Sequence, residues 1–175
     1  MYNVVHREIA SIGRFQIELD TVEKNGSFAP YSFIKMRPGV TVISFLDDEN
    51  IMLLKEYRHA IKQWEYEFPS GIINAEEKPE NAARREFEEE TGYELSEIVS
   101  LGNFYPSFGS TDEIIYLFCG KSKSSSQNSH RDLLEEIKLE IVSVKKFEEM
   151  IKKGTFRHGA GLAAWLKWKL TNMEK

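Results

Sequence analysis

The chain has 175 residues, 41% of them hydrophobic and 29% charged, with a formal net charge of −5. That length buries a core without disulfide or metal staples, and the acidic balance argues against a general nucleic-acid binder, which needs a basic face. One cysteine excludes an internal disulfide; Cys119, inside the apolar run IIYLFCG, reads as a buried strand residue rather than a nucleophile. No charged-then-apolar leader opens the sequence and no apolar run approaches the ~20 residues of a membrane span, so a cytoplasmic location with no membrane partner is expected.

The first half reads as strands. RFQIELDTVEK alternates apolar and polar residues, KNGS supplies the Asn-Gly pair of a tight hairpin turn, and YSFIKM returns. Arg37-Pro38-Gly39 punctuates the chain. VTVISFL, the turn DDEN and IMLLKEY form a second, more apolar hairpin, and WEYEF is a short strand that stops at Pro69. A helix is expected from Pro79, which fits a first turn, to Thr91, with Gly92 just past its end. IVSLGNFY and EIIYLFCG resume the strands, and KSKSSSQNSHRD is polar and serine-rich enough to read as a mobile loop. EIKLEIVSV is a last strand; KKFEEMIKKG and GLAAWLKWKL are helices. The expected fold class is α+β, a mixed sheet with helices packed against it.

The helix in GIINAEEKPENAARREFEEETGY is crowded with acid. At 3.6 residues per turn Glu86, Glu89 and Glu90 share one face, while Ala83 and Phe87 fall on an adjacent face that can pack on the sheet. Like charges at this spacing repel. Arg85 offsets one neighbouring acid, and a hard cation with oxygen ligands would relieve the rest. Taken alone, REFEEE is an ordinary solvated face. The wider frame is not ordinary. Gly71, Glu77, Arg85, Glu86, Glu89, Glu90 and Gly92 occupy the fixed positions of Gly-x5-Glu-x7-Arg-Glu-apolar-x-Glu-Glu-x-Gly-apolar, with Phe87 and Tyr93 as the apolar pair. Seven such matches arise by chance at roughly 10⁻⁸ per starting position.

This stretch resembles the Nudix box, and the chain is thereby similar to the Nudix hydrolase family. The resemblance implies a mixed sheet sandwiched between helices and hydrolysis of a nucleoside diphosphate linked to another moiety, with Mg²⁺ or Mn²⁺. It implies Glu86 and Glu90 as main metal ligands, Glu89 as a ligand directly or through water, and the Ser70 carbonyl completing the set. Arg85 and Glu77 would orient the carboxylates by pairing. The chemistry agrees: divalent ions neutralise a pyrophosphate that would otherwise repel water. His6, His59, His130 and His158 show no zinc-like spacing.

Flanking segments narrow the substrate. EYRHAIKQWEYEFPSG resembles the lead-in to the box of ADP-ribose pyrophosphatases and related nucleotide-sugar hydrolases, which implies that Arg58 faces the substrate. YPSFGSTDE, with Gly109 and Glu113, resembles that group's downstream loop, although Phe108 stands where a second proline is expected. The strands before Arg37 resemble the extra N-terminal antiparallel sheet through which the group dimerises and closes its nucleotide pocket. The division implied is residues 1–38 for dimerisation and pocket and 39–175 for the hydrolase domain, in a homodimer with Phe28 or Tyr31 near the base. ADP-ribose, split to AMP and ribose 5-phosphate, is the first substrate; GDP-mannose or another nucleotide sugar is second. A dinucleoside polyphosphate or oxidised nucleotide, and a non-catalytic nucleotide-binding regulator, are the competing readings. The resemblance places a general base on a loop before the last strand. Strand alternation from Ile137 through Leu139 and Ile141 favours Glu135, with Glu136 and Asp132 beside it and Glu89 or Glu113 as alternatives.

Overall fold

The computed structural model describes residues 1–125 and 137–173, which divide into two compact units. The first comprises Met1–Pro38 and Tyr105–Ile114. Its strands β1 (Asn3–Ile12), β2 (Phe15–Lys24) and β3 (Ser27–Lys35) form an antiparallel sheet in chain order. The β2–β3 turn is the one the Asn-Gly pair predicts: Asn25 (φ 53°) and Gly26 (φ 79°) both take the left-handed conformation of a two-residue hairpin loop. Arg7 clamps the sheet, meeting Asp20 at 2.6 and 2.8 Å and Glu18 at 2.6 Å; both carboxylates are buried. The segment Tyr105–Ile114 is tied to β3 by the Ile34 N–H on the Ser110 carbonyl (2.9 Å), the Met36 N–H on Asp112 (2.8 Å) and a Lys35–Asp112 ion pair.

The second unit holds a seven-stranded mixed sheet: β4 (Gly39–Phe45), β5 (Asn50–Arg58), β6 (Gln63–Glu67), β7 (Ser70–Ile72), β8 (Tyr93–Phe104), β9 (Ile115–Ser125) and β10 (Ile137–Ser143). The order is β10-β5-β4-β9-β8, with β4 and β9 parallel. Alternation sorts side chains between two cores. Val40, Val42, Met52 and Phe118 lie under helix α1 (Pro79–Thr91) with Ala82, Ala83 and Phe87. Ile43, Phe45, Ile51, Leu53 and Leu117 face helices α2 (Val144–Lys152) and α3 (Gly159–Met173), with Phe147 and Trp165. The result is a sheet sandwiched between helices.

The β4–β5 hairpin pairs only near its turn, at Ser44↔Met52 and Phe45↔Ile51. Beyond that the strands diverge, and the β6–β7 segment fills the gap: β6 pairs with β5, then the chain crosses over Phe68-Pro69 and β7 pairs with β4. Strand β8 begins at Tyr93, earlier than IVSLGNFY suggests, because the helix stop at Gly92 leads straight into the ladder with β9. Strand β9 runs to Ser125, so the first residues of the serine-rich stretch are strand rather than loop. Cys119 lies in β9 half-buried rather than buried, and desolvation pushes its thiol up to about 12. In β10 Ile137 is buried but Ile141 is 45% exposed, while Val142 enters the α2–α3 core. Leu139 packs on the α1 side and Val142 on the other, as alternation along a regular ladder requires, and Ile141 is exposed because β10 is an edge strand.

Candidate functional site

Helix α1 is built to hold one face against the sheet. Pro79 stands in the first turn, where its missing N–H costs nothing, and Gly92 closes the last in the left-handed conformation (φ 74°), its N–H on the Glu88 carbonyl at 2.8 Å. Ala82, Ala83 and Phe87 are fully buried, as their spacing predicts. The Thr91 hydroxyl donates to the Phe87 carbonyl at 2.6 Å and accepts the Tyr93 N–H at 3.1 Å. With that face held, the acidic edge of α1 is carried onto β7.

Arg85 is the hub of this edge. Its Nε and Nη2 grip Glu77 at 3.0 and 2.9 Å, Nη1 reaches Glu86 at 2.7 Å and Glu89 at 3.1 Å, and Nη2 also meets the Ile72 carbonyl at 3.0 Å. These contacts engage every N–H of the guanidinium fork. Arg85 thus offsets three acids, not the single one its charge suggests, because a planar fork serves several carboxylates at once. Glu77, which also accepts the Asn74 N–H at 2.9 Å, is held below the usual glutamate range, first by its bond to Arg85.

Glu86 and Glu90 meet the backbone of β7. A Cβ on Gly71 would overlap the carboxylate carbon and both oxygens of Glu86, so only glycine leaves room for that side chain. One residue earlier, the Ser70 N–H donates to Glu90 Oε2 at 3.0 Å. Burial pushes the Glu90 carboxyl well above the usual range; the Ser70 N–H pulls the other way, and the charges of Glu67, Glu86 and Glu56 add to the upward shift. As they stand, Glu86 and Glu89 turn to Arg85 and Glu90 to Ser70. Among the described residues no three His, Cys, Asp or Glu side chains are gathered closely enough to hold a metal ion. The donors at hand are nonetheless all oxygen, the set that hard divalent ions take, and the Glu86 and Glu90 carboxylates of α1 lie against the consecutive residues Gly71 and Ser70 of β7.

Arg58, at the end of β5, is occupied by Glu67 through Nε (3.1 Å) and Nη2 and by Glu56 through Nη1 (2.9 Å). Both carboxylates are buried, at 5% and 6% exposure, and both act electrostatically on Glu90. Glu56 and Glu67 are the site residues that sequence reasoning missed. Their signal was a charge at an inward position of IMLLKEY and WEYEF, where a buried carboxylate demands a partner. Beside them, Arg58, Ile61, Glu65, Tyr66, Glu67, Arg157 and His158 line a cavity of about 420 Å³.

The other residues expected to bind substrate, Phe28, Tyr31, Gly109 and Glu113, lie in the first unit. Phe28 is 67% exposed, Tyr31 packs its ring near Tyr2 and Phe33, and a side chain at Gly109 would meet nothing within 4 Å. Glu113 is shifted above the usual range by burial. Glu135, with Glu136 and Asp132, lies outside the described residues.

Residues 35–165 match the model of the NUDIX domain. The chain is 32% identical over 120 residues to the ADP-ribose pyrophosphatase of Bacillus subtilis (strain 168), covering 69% of this chain and 64% of that protein. It is 33% identical over 115 residues to the methanol dehydrogenase activator of Bacillus methanolicus, covering 65% and 62%. The matched region thus spans less than two thirds of either relative. A crystal structure of an ADP compounds hydrolase superposes with a TM-score of 0.85 at 18% identity, over 96% of this chain and 92% of that one, so the fold is shared.

Proposed function

The chain belongs to the NUDIX domain family, and from that premise we propose that it hydrolyses the pyrophosphate bond of a nucleoside diphosphate sugar with the help of a divalent cation, ADP-ribose giving AMP and ribose 5-phosphate. The observation that carries the reading is the convergence of Glu86 and Glu90 on Gly71 and Ser70, with Arg85 securing the acids around them. Similarity to an ADP-ribose pyrophosphatase supports the substrate class.

Glu86 and Glu90 would hold the ion, with Glu89 and the Ser70 carbonyl completing its ligands; Mg²⁺ or Mn²⁺ there would offset the pyrophosphate charge and acidify the attacking water. Arg85 and Glu77 keep the carboxylates aimed. Arg58, Gly109 and Glu113 are assigned to substrate binding, and Glu135 to the base. The test is a screen of nucleotide sugars, GDP-mannose included, coupled to a phosphatase that frees phosphate from the monoester products. We expect turnover of ADP-ribose that disappears with EDTA. Turnover of dinucleoside polyphosphates alone would place the protein in another branch of the family. Nucleotide binding without turnover would make it a regulatory module.

The functional unit is proposed to be a homodimer. In the N-terminal sheet the register puts Ile12, Phe15, Leu19 and Phe28 on one face, each 39% exposed or more. Four large apolar side chains on one face of a small sheet call for a cover, and a second copy of the same sheet supplies one. Phe28, on that face, and Tyr31, on the other, are the candidates for the nucleotide base. Light scattering at micromolar concentration should return twice the 20.3 kDa chain mass; the monomer mass would exclude the dimer.

A further inference from the structure

The crossover between β6 and β7 leaves the sheet ladder for two residues, Phe68 and Pro69, and each of its backbone groups must find another partner. The Pro69 carbonyl accepts the Val42 N–H at 2.9 Å. The Phe68 carbonyl accepts the Ser70 hydroxyl at 2.8 Å, which also lies 2.9 Å from the Thr41 hydroxyl. The Ser70 N–H goes to Glu90. The remaining group, the Phe68 N–H, donates to Nδ1 of His158, from the loop ahead of α3, at 3.3 Å.

We propose that His158 is a positioning residue for the metal-binding edge, fixing the Phe68–Ser70 crossover from which Glu90 is aimed. This rests on the functional reading above. The connection is continuous: His158 holds the Phe68 amide, the Phe68 carbonyl holds the Ser70 side chain, and the Ser70 amide holds Glu90. Two features make His158 suited to the task. Its carbonyl accepts the Leu162 N–H at 2.9 Å, so its backbone, immediately ahead of α3, is tied to that helix's first turn. Its ring stands 6.3 Å from that of Phe156, which packs on Phe68 at 5.4 Å. The Phe68 side chain is thereby anchored in the core, and the direction of its amide is left to the acceptor it meets. To accept, Nδ1 must be unprotonated. Burial lowers the ring's pKa and so keeps it neutral; Glu67 opposes that shift and Arg58 adds to it.

The test compares His158→Phe, which keeps a ring and loses the acceptor, with His158→Asn, whose Oδ1 stands near the position of Nδ1. The first readout is amide hydrogen exchange at Phe68 and Ser70 in the metal-free protein. The second is Mn²⁺ affinity by calorimetry. We expect His158→Phe to lose protection at both amides and to weaken Mn²⁺ binding about tenfold, the low end of what partners behind metal ligands cost. His158→Asn should restore most of both. Wild-type protection at Ser70 in His158→Phe would overturn the proposal, whatever the metal result. Failure of the wild-type protein to bind Mn²⁺ would instead remove the functional reading, and the exchange comparison would still decide the part played by His158.

Discussion

Replacing Glu90 with glutamine lowers kcat at saturating Mg²⁺ by at least ~10²-fold and leaves the protein folded, the scale of losing one electrostatic stabiliser of a transition state. Glutamine keeps the shape and an oxygen to accept the Ser70 N–H, and removes the charge. The same substitution should stabilise the protein once metal is stripped with EDTA. In the folded state the Glu90 carboxyl is raised above the usual glutamate value by burial and by Glu67, Glu86 and Glu56. A raised acid binds its proton more tightly folded than unfolded, so its contribution to stability is complete below the ordinary glutamate value of 4.5 and is lost as pH rises through the folded value. Glutamine mimics the protonated form at every pH. The Tm of Glu90→Gln should therefore exceed that of the wild type near neutrality, by ~2–4 °C for each ~1 kcal/mol relieved, and the gap should close towards acid. Turnover within a few-fold of wild type would remove Glu90 from the metal site. A Tm below wild type in EDTA would mean that its charge is not repelled where it lies.

These outcomes depend on features of unequal legibility. Pro79 and Gly92 bracket the helix in one dimension as they do in three, and Asn25-Gly26 announces its turn, because both effects are local backbone preferences. The box residues are readable because their spacing is fixed by one helix and one turn. Arg85 serving three acids is not readable, since a fork's reach depends on where Glu77 folds back. Neither is the pairing of Arg58 with Glu56 and Glu67, which forms only when β6 lies beside β5. His158 meets Phe68 across 90 positions with no periodicity to connect them. The first strand, Asn3–Ile12, also went unread: its exposed residues mix apolar and polar types, and pairing with β2 rather than burial makes it a strand.

Gly71→Ala separates the site's chemistry from the fold's stability. Gly71 is a fixed position of the box, and its role is spatial: the volume an alanine Cβ would take is already filled by the Glu86 carboxylate. The obstructing atoms are the far end of a flexible side chain, so the backbone need not yield; Glu86 swings away instead. That motion gives up the Arg85–Glu86 pair while Arg85 keeps Glu77 and Glu89, and alanine recovers some chain entropy lost to glycine, worth roughly 0.4–1 kcal/mol where the conformation is compatible. The Tm should therefore stay within ~2 °C of wild type. Activity should not survive as well. A carboxylate displaced by about 1 Å no longer meets the same ion, and misplacement on that scale costs ~10²-fold in rate. Coupling identifies the cause. On a Glu86→Ala background, where no carboxylate remains to be displaced, adding Gly71→Ala should change kcat by less than ~2-fold. A Gly71→Ala enzyme within threefold of wild-type kcat would show that Glu86 works equally well from elsewhere. A large further loss in the double variant would show that alanine acts on the β7 backbone rather than through Glu86.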